Sequence, residues 1–370
     1  MGLRLGVAAQ PLPPPQLTVG NAVQSEADGY DSIWYPDHLM GWFARSMWTP
    51  ENSSIVNVLP SPHLYLDTTI TMALVAQSTS KIEIGSGVTD PIRRTPAELA
   101  RTFRTLSHVS NGRTILGIGA GEKENIVPYG MSFSYQVSKL EEALQIIRAL
   151  WSSDDYVNFD GRFWKLKKAV LDLPAYDGKD PKIWVGAHGP RMLEITGKYA
   201  DGWYPSYPME PADYAAKLKV VRDAAAAAGR DPAAIEAGYQ MYAAVVDDHE
   251  TAHEIMQMPL ARGLALAGSS EMWEKAGLSH PLGKDFDGLR DYVPEWYTPE
   301  ELEEAMSHFD IDVVHDVVVH GTVDEVTSKI TPFIDAGMEH LVMGNTSSLG
   351  GLEYLDMARR NMLELKNNLQ

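Results

Sequence analysis

The chain has 370 residues, 44% of them hydrophobic, no cysteine, and 50 acidic against 31 basic residues, for a formal charge of −19. So negative a surface repels phosphate backbones and anionic headgroups, which argues against nucleic acid and membrane surfaces as partners; without cysteine there are no disulfides, thiolate catalysis or zinc–cysteine sites. The opening "MGLRLGVAAQPLPPP" has too short an apolar run for a signal peptide, and no stretch approaches the ~20 apolar residues of a membrane span, so a cytoplasmic protein is expected.

In chain order, short apolar runs predict strands at 3–9 ("LRLGVAA"), 31–35 ("DSIWY"), 82–88 ("IEIGSGV") and 114–119 ("TILGIG"). Four more follow at 182–187, 202–204, 239–246 and 340–345. Helical spacing separates them. "KLEEALQIIRALW" sets Leu140, Ala143, Leu144, Ile147 and Trp151 on one face, and "PADYAAKLKVVRDAAAAAG" runs from Pro211 to Gly229, a favoured start and stop. Eight alternating units predict a closed (β/α)₈ TIM barrel, with an open doubly wound sheet as the runner-up.

A minimal barrel needs ~250 residues, so the remainder is expected as insertions after strands 2, 4 and 7, at approximately 38–66, 122–180 and 247–335, within one domain spanning 1–370. The second contains "YVNFDGRFWKL", which reads as a hairpin about Asp160-Gly161. "IDVVHDVVVHG" (311–321) fits strand and helix equally.

A TIM barrel carries its chemistry at the C-terminal ends of its strands. Strand two ends on Asp37-His38, strand three on Gly87-Val88-Thr89-Asp90, strand four on "GAGEKEN" (119–125) and strand five on "GAHGPRM" (186–192). His38, Glu122 and Asn125 therefore face one mouth. Taken singly, Glu122 is also a common choice near a helix N-terminus, and Asn125 a common loop residue. "GIGAGE" is a poor dinucleotide fingerprint, because it lies mid-chain and lacks the acidic partner. "GAHGPR" is a better anion site, with exposed backbone amides at 187–189 and Pro190 opening a helix; a plain tight turn is the alternative. "HETAH" (249–253) mimics a zinc-protease motif, but Asp247 and Asp248 before it and Glu254 after it suit the first turns of an exposed acidic helix. No metal is expected.

Together these blocks resemble the bacterial luciferase-like superfamily, in its deazaflavin-dependent branch. "DSIWYPDHLMGW" is similar to that branch's Asp-His-x-x-x-Trp signature and "TILGIGAGEKEN" to its Gly-x-Gly-Glu-x-x-Asn signature. "TILGIGAGE", "GAHGPRM" and "HPLGKDF" (280–286) resemble blocks of the mycobacterial phthiodiolone ketoreductases, and "GTVDEVTSKI…DAGMEHLVM" is common to the superfamily.

The resemblance implies coenzyme F420, a hydride carrier, bound in the mouth. Asp37 would hydrogen-bond the deazaflavin edge, and Gly87-Val88 would form the bulge under its ring, often a non-prolyl cis peptide. Gly186, Ala187, His188 and Gly189 would take its phosphate. His38 and Glu122 match the proton-transfer residues; Trp42 and Asn125 would line the pocket, Asn125 on the cofactor side. Relatives often carry Ser at position 87 and Thr at 90, so Asp90 is expected to face substrate or pair with Arg93 or Arg94. Relatives acting on sugar phosphates use basic side chains from the late insertion, where this chain has the largely apolar "MQMPLARGLALAGSSEMW". A mostly apolar, lipid-like carbonyl substrate is therefore expected. The alternatives are an FMN-dependent monooxygenase and a non-catalytic flavin- or deazaflavin-binding relative. A homodimer is expected, since relatives pair through barrel helices and "TITMALVAQ" (69–77) is apolar.

Overall fold

The computed structural model describes residues 2–309 and 311–370. Its sheet closes as a parallel barrel of eight strands: β1 (Arg4–Ala8), β2 (Ser32–Tyr35), β3 (Glu83–Ser86), β4 (Thr114–Ile118), β7 (Lys182–Val185), β8 (Gly202–Trp203), β9 (Glu236–Val245) and β11 (His340–Asn345). β8 closes on β9 through Gly202↔Glu236 and Trp203↔Ala237, and β11 returns to β1 through Arg4↔His340. The predicted barrel and its eight strands are present. The remaining strands are a hairpin, β5 (Val157–Asp160) with β6 (Lys165–Ala169), and β10 (Val319–Gly321), which pairs with the upper end of β9. The 311–321 stretch divides: Ile311–Val317 is helical, and Val319–Gly321 is strand.

Most barrel strands are buried on both faces, β2 and β4 along their whole length, which is why they read as apolar runs rather than alternating ones. The interior is plugged by Trp34, Trp184 and Tyr204, with Trp34 stacked on Tyr204 at 4.6 Å between centroids. Tryptophans fit there because the neighbouring strands offer glycine: a Cβ on Gly85 would collide with Trp34, and one on Gly202 or Gly238 with Trp184. Among the described residues, eight helices form the outer ring: α1 (Pro15–Ala27), α2 (Thr68–Ser78), α3 (Pro96–Ser110), α4 (Gln136–Ser152), α5 (Pro190–Tyr199), α6 (Pro211–Ala227), α12 (Val323–Asp335) and α13 (Leu355–Leu369). α4 buries the five residues predicted to share its face, and α6 stops before Gly229, which takes the left-handed φ of +74° that an L side chain resists.

At the N-terminal end of the barrel, charges close the floor. Arg4 bridges Glu83 at 2.6 Å and Glu236 at 2.5 Å, Lys182 reaches Glu83 at 2.9 Å, and His340 Nδ1 lies 2.9 Å from Glu236. At the other end, chain beyond the basic β/α repeat forms a cap. Between β9 and β10 lie α7 (His249–Gln257), α8 (Pro259–Leu264), α9 (Ser270–Lys275), α10 (Pro299–Ser307) and α11 (Ile311–Val317). They share a second apolar core with Met47 and Ile55 from the segment after β2, so the two insertions pack on each other above the strand ends. No helix among the described residues is long and apolar enough to cross a membrane.

Candidate active site

Under this cap lies a cavity of about 850 Å³, within the usual range for small-molecule sites. Its walls include Asp37, His38, Trp42, Gly87 to Asp90, Gly119 to Glu122, Asn125, Gly186, His188 and Gly189. The strand exits singled out in the sequence meet there. Ala187 does not line it: its side chain is fully buried, and its carbonyl accepts from Trp203 Nε1 at 2.9 Å.

β2 ends at Tyr35 because Pro36 cannot extend the ladder, and the chain turns Asp37 and His38 into the cavity. Asp37 is 4% exposed. Its Oδ2 accepts from Thr89 Oγ1 at 2.6 Å and Arg94 Nε at 2.9 Å, and Oδ1 from Arg94 Nη2 at 3.2 Å. Burial opposes its charge, but Arg94, Arg93 and Thr89 outweigh that and hold the carboxyl below the usual range. Asp90, also buried, is paired with Arg93 and caps the backbone amides of Ile92 and Arg93. The peptide between Gly87 and Val88 is cis.

His38 Nδ1 faces the Met40 carbonyl at 3.2 Å, and Nε2 faces Glu122 Oε2 at 3.2 Å. A carbonyl only accepts, so Nδ1 carries hydrogen. The Nε2 contact with the Glu122 carboxylate is an ion pair when the ring is protonated. Asn125 locks the pair together. Its Oδ1 accepts from the amides of Leu39 and Met40 at 2.7 and 3.0 Å, and its Nδ2 donates to Glu122 at 3.4 Å and Glu124 at 3.0 Å. Asn125 thus ties the segment after β2 to the short turn after β4.

Several groups in or behind the cavity wall escaped the sequence reading. Glu124 is fully buried behind Glu122, and its burial and that neighbouring charge push its carboxyl well above the usual range. Tyr65, Tyr207 and Tyr242 also face the cavity, where burial above all raises their phenols. Alternation of charge in "EKEN" gives no hint that Glu124 points inward, because the turn is not a regular element long enough to show a period.

The α5 end supplies the anion candidate. Gly189 is the N-cap, no side chain caps the helix, and a Cβ added at Gly189 would meet nothing within 4 Å. The His188 ring packs tilted against Tyr207 at 4.3 Å; burial and Lys217 lower its imidazole to about 3, which favours the neutral form. Trp42 Nε1, His188 Nδ1, Tyr204 Oη and Thr346 Oγ1 belong to lining residues and have no hydrogen-bond partner among the described residues. Buried polar groups left open in this way suit a polar ligand. Further along, Leu12, Leu17, Trp48, Val58, Leu352 and Leu355 make an apolar arm, and Leu17 and Val58 carry it to the surface at 46% and 57% exposed.

"HETAH" begins α7, with Asp248 as its cap, accepting from Thr251 N at 2.9 Å. Asp247 is not a cap; it binds Arg360 and Asn361. The rings of His253, His315 and His320 lie near one another, but among the described residues the one trio of ligand-type groups with atoms within 4.8 Å is His38, Glu122 and Glu124.

The family model for luciferase-like monooxygenases matches residues 4–340. The phthiodiolone/phenolphthiodiolone dimycocerosates ketoreductase of Mycobacterium sp. (strain JLS) is 36% identical over 359 residues, covering 94% of this chain and 93% of that protein. An F420-dependent glucose-6-phosphate dehydrogenase of Amycolatopsis mediterranei is 28% identical, covering 89% and 88%. Among solved structures, an F420-dependent secondary alcohol dehydrogenase with an F420-acetone adduct superposes over the full length of both chains, with a TM-score of 0.77 and 22% identity.

Proposed function

The chain belongs to the luciferase-like monooxygenase family, and on that footing we propose that it is an F420-dependent oxidoreductase that reduces a mostly apolar ketone, or oxidises the corresponding alcohol. The observation that carries this reading is the His38–Glu122 pair, 3.2 Å apart in a cavity with an open anion end and an apolar arm. F420 when bound supplies a hydride to the carbonyl carbon. The residues fit it: the amides around Gly186 to Gly189 would take its phosphate, Gly87-Val88 would support its ring, and Asp37, whose Oδ1 keeps acceptor capacity, would bond the ring edge.

The chain's own part is proton management and orientation. His38 holds a proton on Nε2 for the developing alkoxide, and the carboxylate of Glu122 stabilises the imidazolium that this needs. The two roles are exchangeable, with Glu122 then serving the substrate. Asn125 fixes both groups, which keeps the donor in place before substrate arrives. Trp42 and Asp90 stand on the substrate side, Asp90 acting through Arg93. The apolar arm excludes water and receives an aliphatic portion of the substrate, lipid-like or polyketide in character.

An FMN-dependent monooxygenase is the competing reading, favoured by the family's name. Protein supplied with reduced F420 and a panel of aliphatic ketones should oxidise the cofactor under anaerobic conditions. Turnover that needs both FMN and oxygen would favour the rival.

We also propose a cytoplasmic homodimer. Ile70 and Leu74 leave α2 65% and 43% exposed, an apolar pair on the segment expected to be shared. Light scattering at micromolar concentration should give twice the 40.8 kDa chain mass; a monomer would refute it.

A further inference from the structure

His38 and Glu122 line the cavity, Glu124 lies buried behind them, and the proposed chemistry uses only the first two. His38, Glu122 and Glu124 each offer an atom within 4.8 Å of the others. Glu124 has no exposed surface; its Oε1 accepts from Asn125 Nδ2 at 3.0 Å, and its Oε2 is buried with no donor directed at it. Glu124 has no contact with water and Glu122 has some, so of two carboxylates this close Glu124 is the one whose charge is disfavoured. It is therefore the better place for a proton. An acid proton on Glu124 Oε2 would also satisfy that orphaned oxygen by donating to Glu122.

We propose that Glu124 is a positioning residue: a neutral carboxylic acid at neutral pH that donates its proton to Glu122 and so leaves Glu122 as the single anion facing His38. This rests on the reading of His38 and Glu122 given above. With one negative charge in the trio, the proton between Glu122 and His38 has one acceptor, and the imidazolium has one counter-charge. Were Glu124 ionised, its repulsion from Glu122 would open the turn that Asn125 clamps. The other groups that interact with it are Arg93 and the phenols of Tyr65, Tyr129, Tyr207 and Tyr292, which stay neutral.

Glu124→Gln tests this, because glutamine keeps the neutral charge, the donor to Glu122 and the acceptor for Asn125. Infrared difference spectra of wild type and Glu124→Gln, both without cofactor, should show a protonated-carboxyl carbonyl band at neutral pH that the variant lacks. Its absence would overturn the proposal whatever the activity. The His38 ring, followed by NMR in the same samples, should titrate in Glu124→Gln as in wild type and differently in Glu124→Leu. Hydride transfer should stay within about threefold of wild type in Glu124→Gln and fall at least tenfold in Glu124→Leu. Equal loss in both variants, or none in Glu124→Leu with an unchanged His38 titration, would contradict the assignment. A wild type that binds no F420 would defeat the functional reading but leave the infrared and NMR tests in force.

Discussion

His38→Ala should lower single-turnover hydride transfer by about 10²–10⁴-fold, or roughly 3–5 kcal/mol of barrier, the usual worth of a positioned general acid. The expectation follows from geometry. His38 Nε2 lies 3.2 Å from Glu122 Oε2 at the cavity wall, and His38 is the imidazole of that trio. Glu122→Gln should cost a similar amount, because a neutral amide cannot stabilise the imidazolium. Both variants should bind F420 within a few-fold of wild type, since the proposed phosphate contacts at Gly186 to Gly189 are untouched. Stopped-flow oxidation of bound reduced F420 separates these steps. If His38→Ala kept more than about a tenth of the wild-type rate, His38 would not be the acid.

The largest effect on stability is expected at the opposite end of the barrel. Burial opposes the charge of Glu236, but His340, Lys182 and Arg4 outweigh it and lower its carboxyl from 4.5 to about 2. A lowered acid stabilises the fold above its unfolded value and loses that contribution as pH falls through its folded one. The window is therefore about pH 4.5 down to 2, and the shift corresponds to about 3 kcal/mol at neutral pH. Glu236→Ala should destabilise by about that much at neutral pH, Glu83 remaining as partner for both cations. The penalty should shrink as pH falls towards the end of that window. Denaturant titrations of both proteins at several pH values check this, and a penalty independent of pH would refute it.

Much of the barrel was legible because its strands are short runs buried on both faces, bounded by Gly, Pro or charged residues. Ile33-Trp34-Tyr35 cut off by Pro36 is the plainest case. The 311–321 stretch was not legible, since buried residues run through its helix (Val313, Val314), the junction (Val318) and the strand (His320, Gly321) alike. Only the fold's choice of where to resume β pairing, against Ala243 to Val245, divides it. At the mouth, Asp37, His38, Glu122 and Asn125 could be assembled from strand exits alone. Glu124 could not: its turn, Lys123–Asn125, packs against Gly288–Arg290 far along the chain, which no local pattern records. The tethering of Asp37 by Thr89 and Arg94 likewise joins residues more than 50 positions apart.

The reading of the mouth as a deazaflavin site meets its most direct test in parallel titrations of the purified protein with F420 and FMN, followed by absorbance and fluorescence. F420 should bind at micromolar concentration or tighter, with FMN at least about tenfold weaker, a difference of ~1.4 kcal/mol. FMN binding as tight as F420, or tighter, would contradict it.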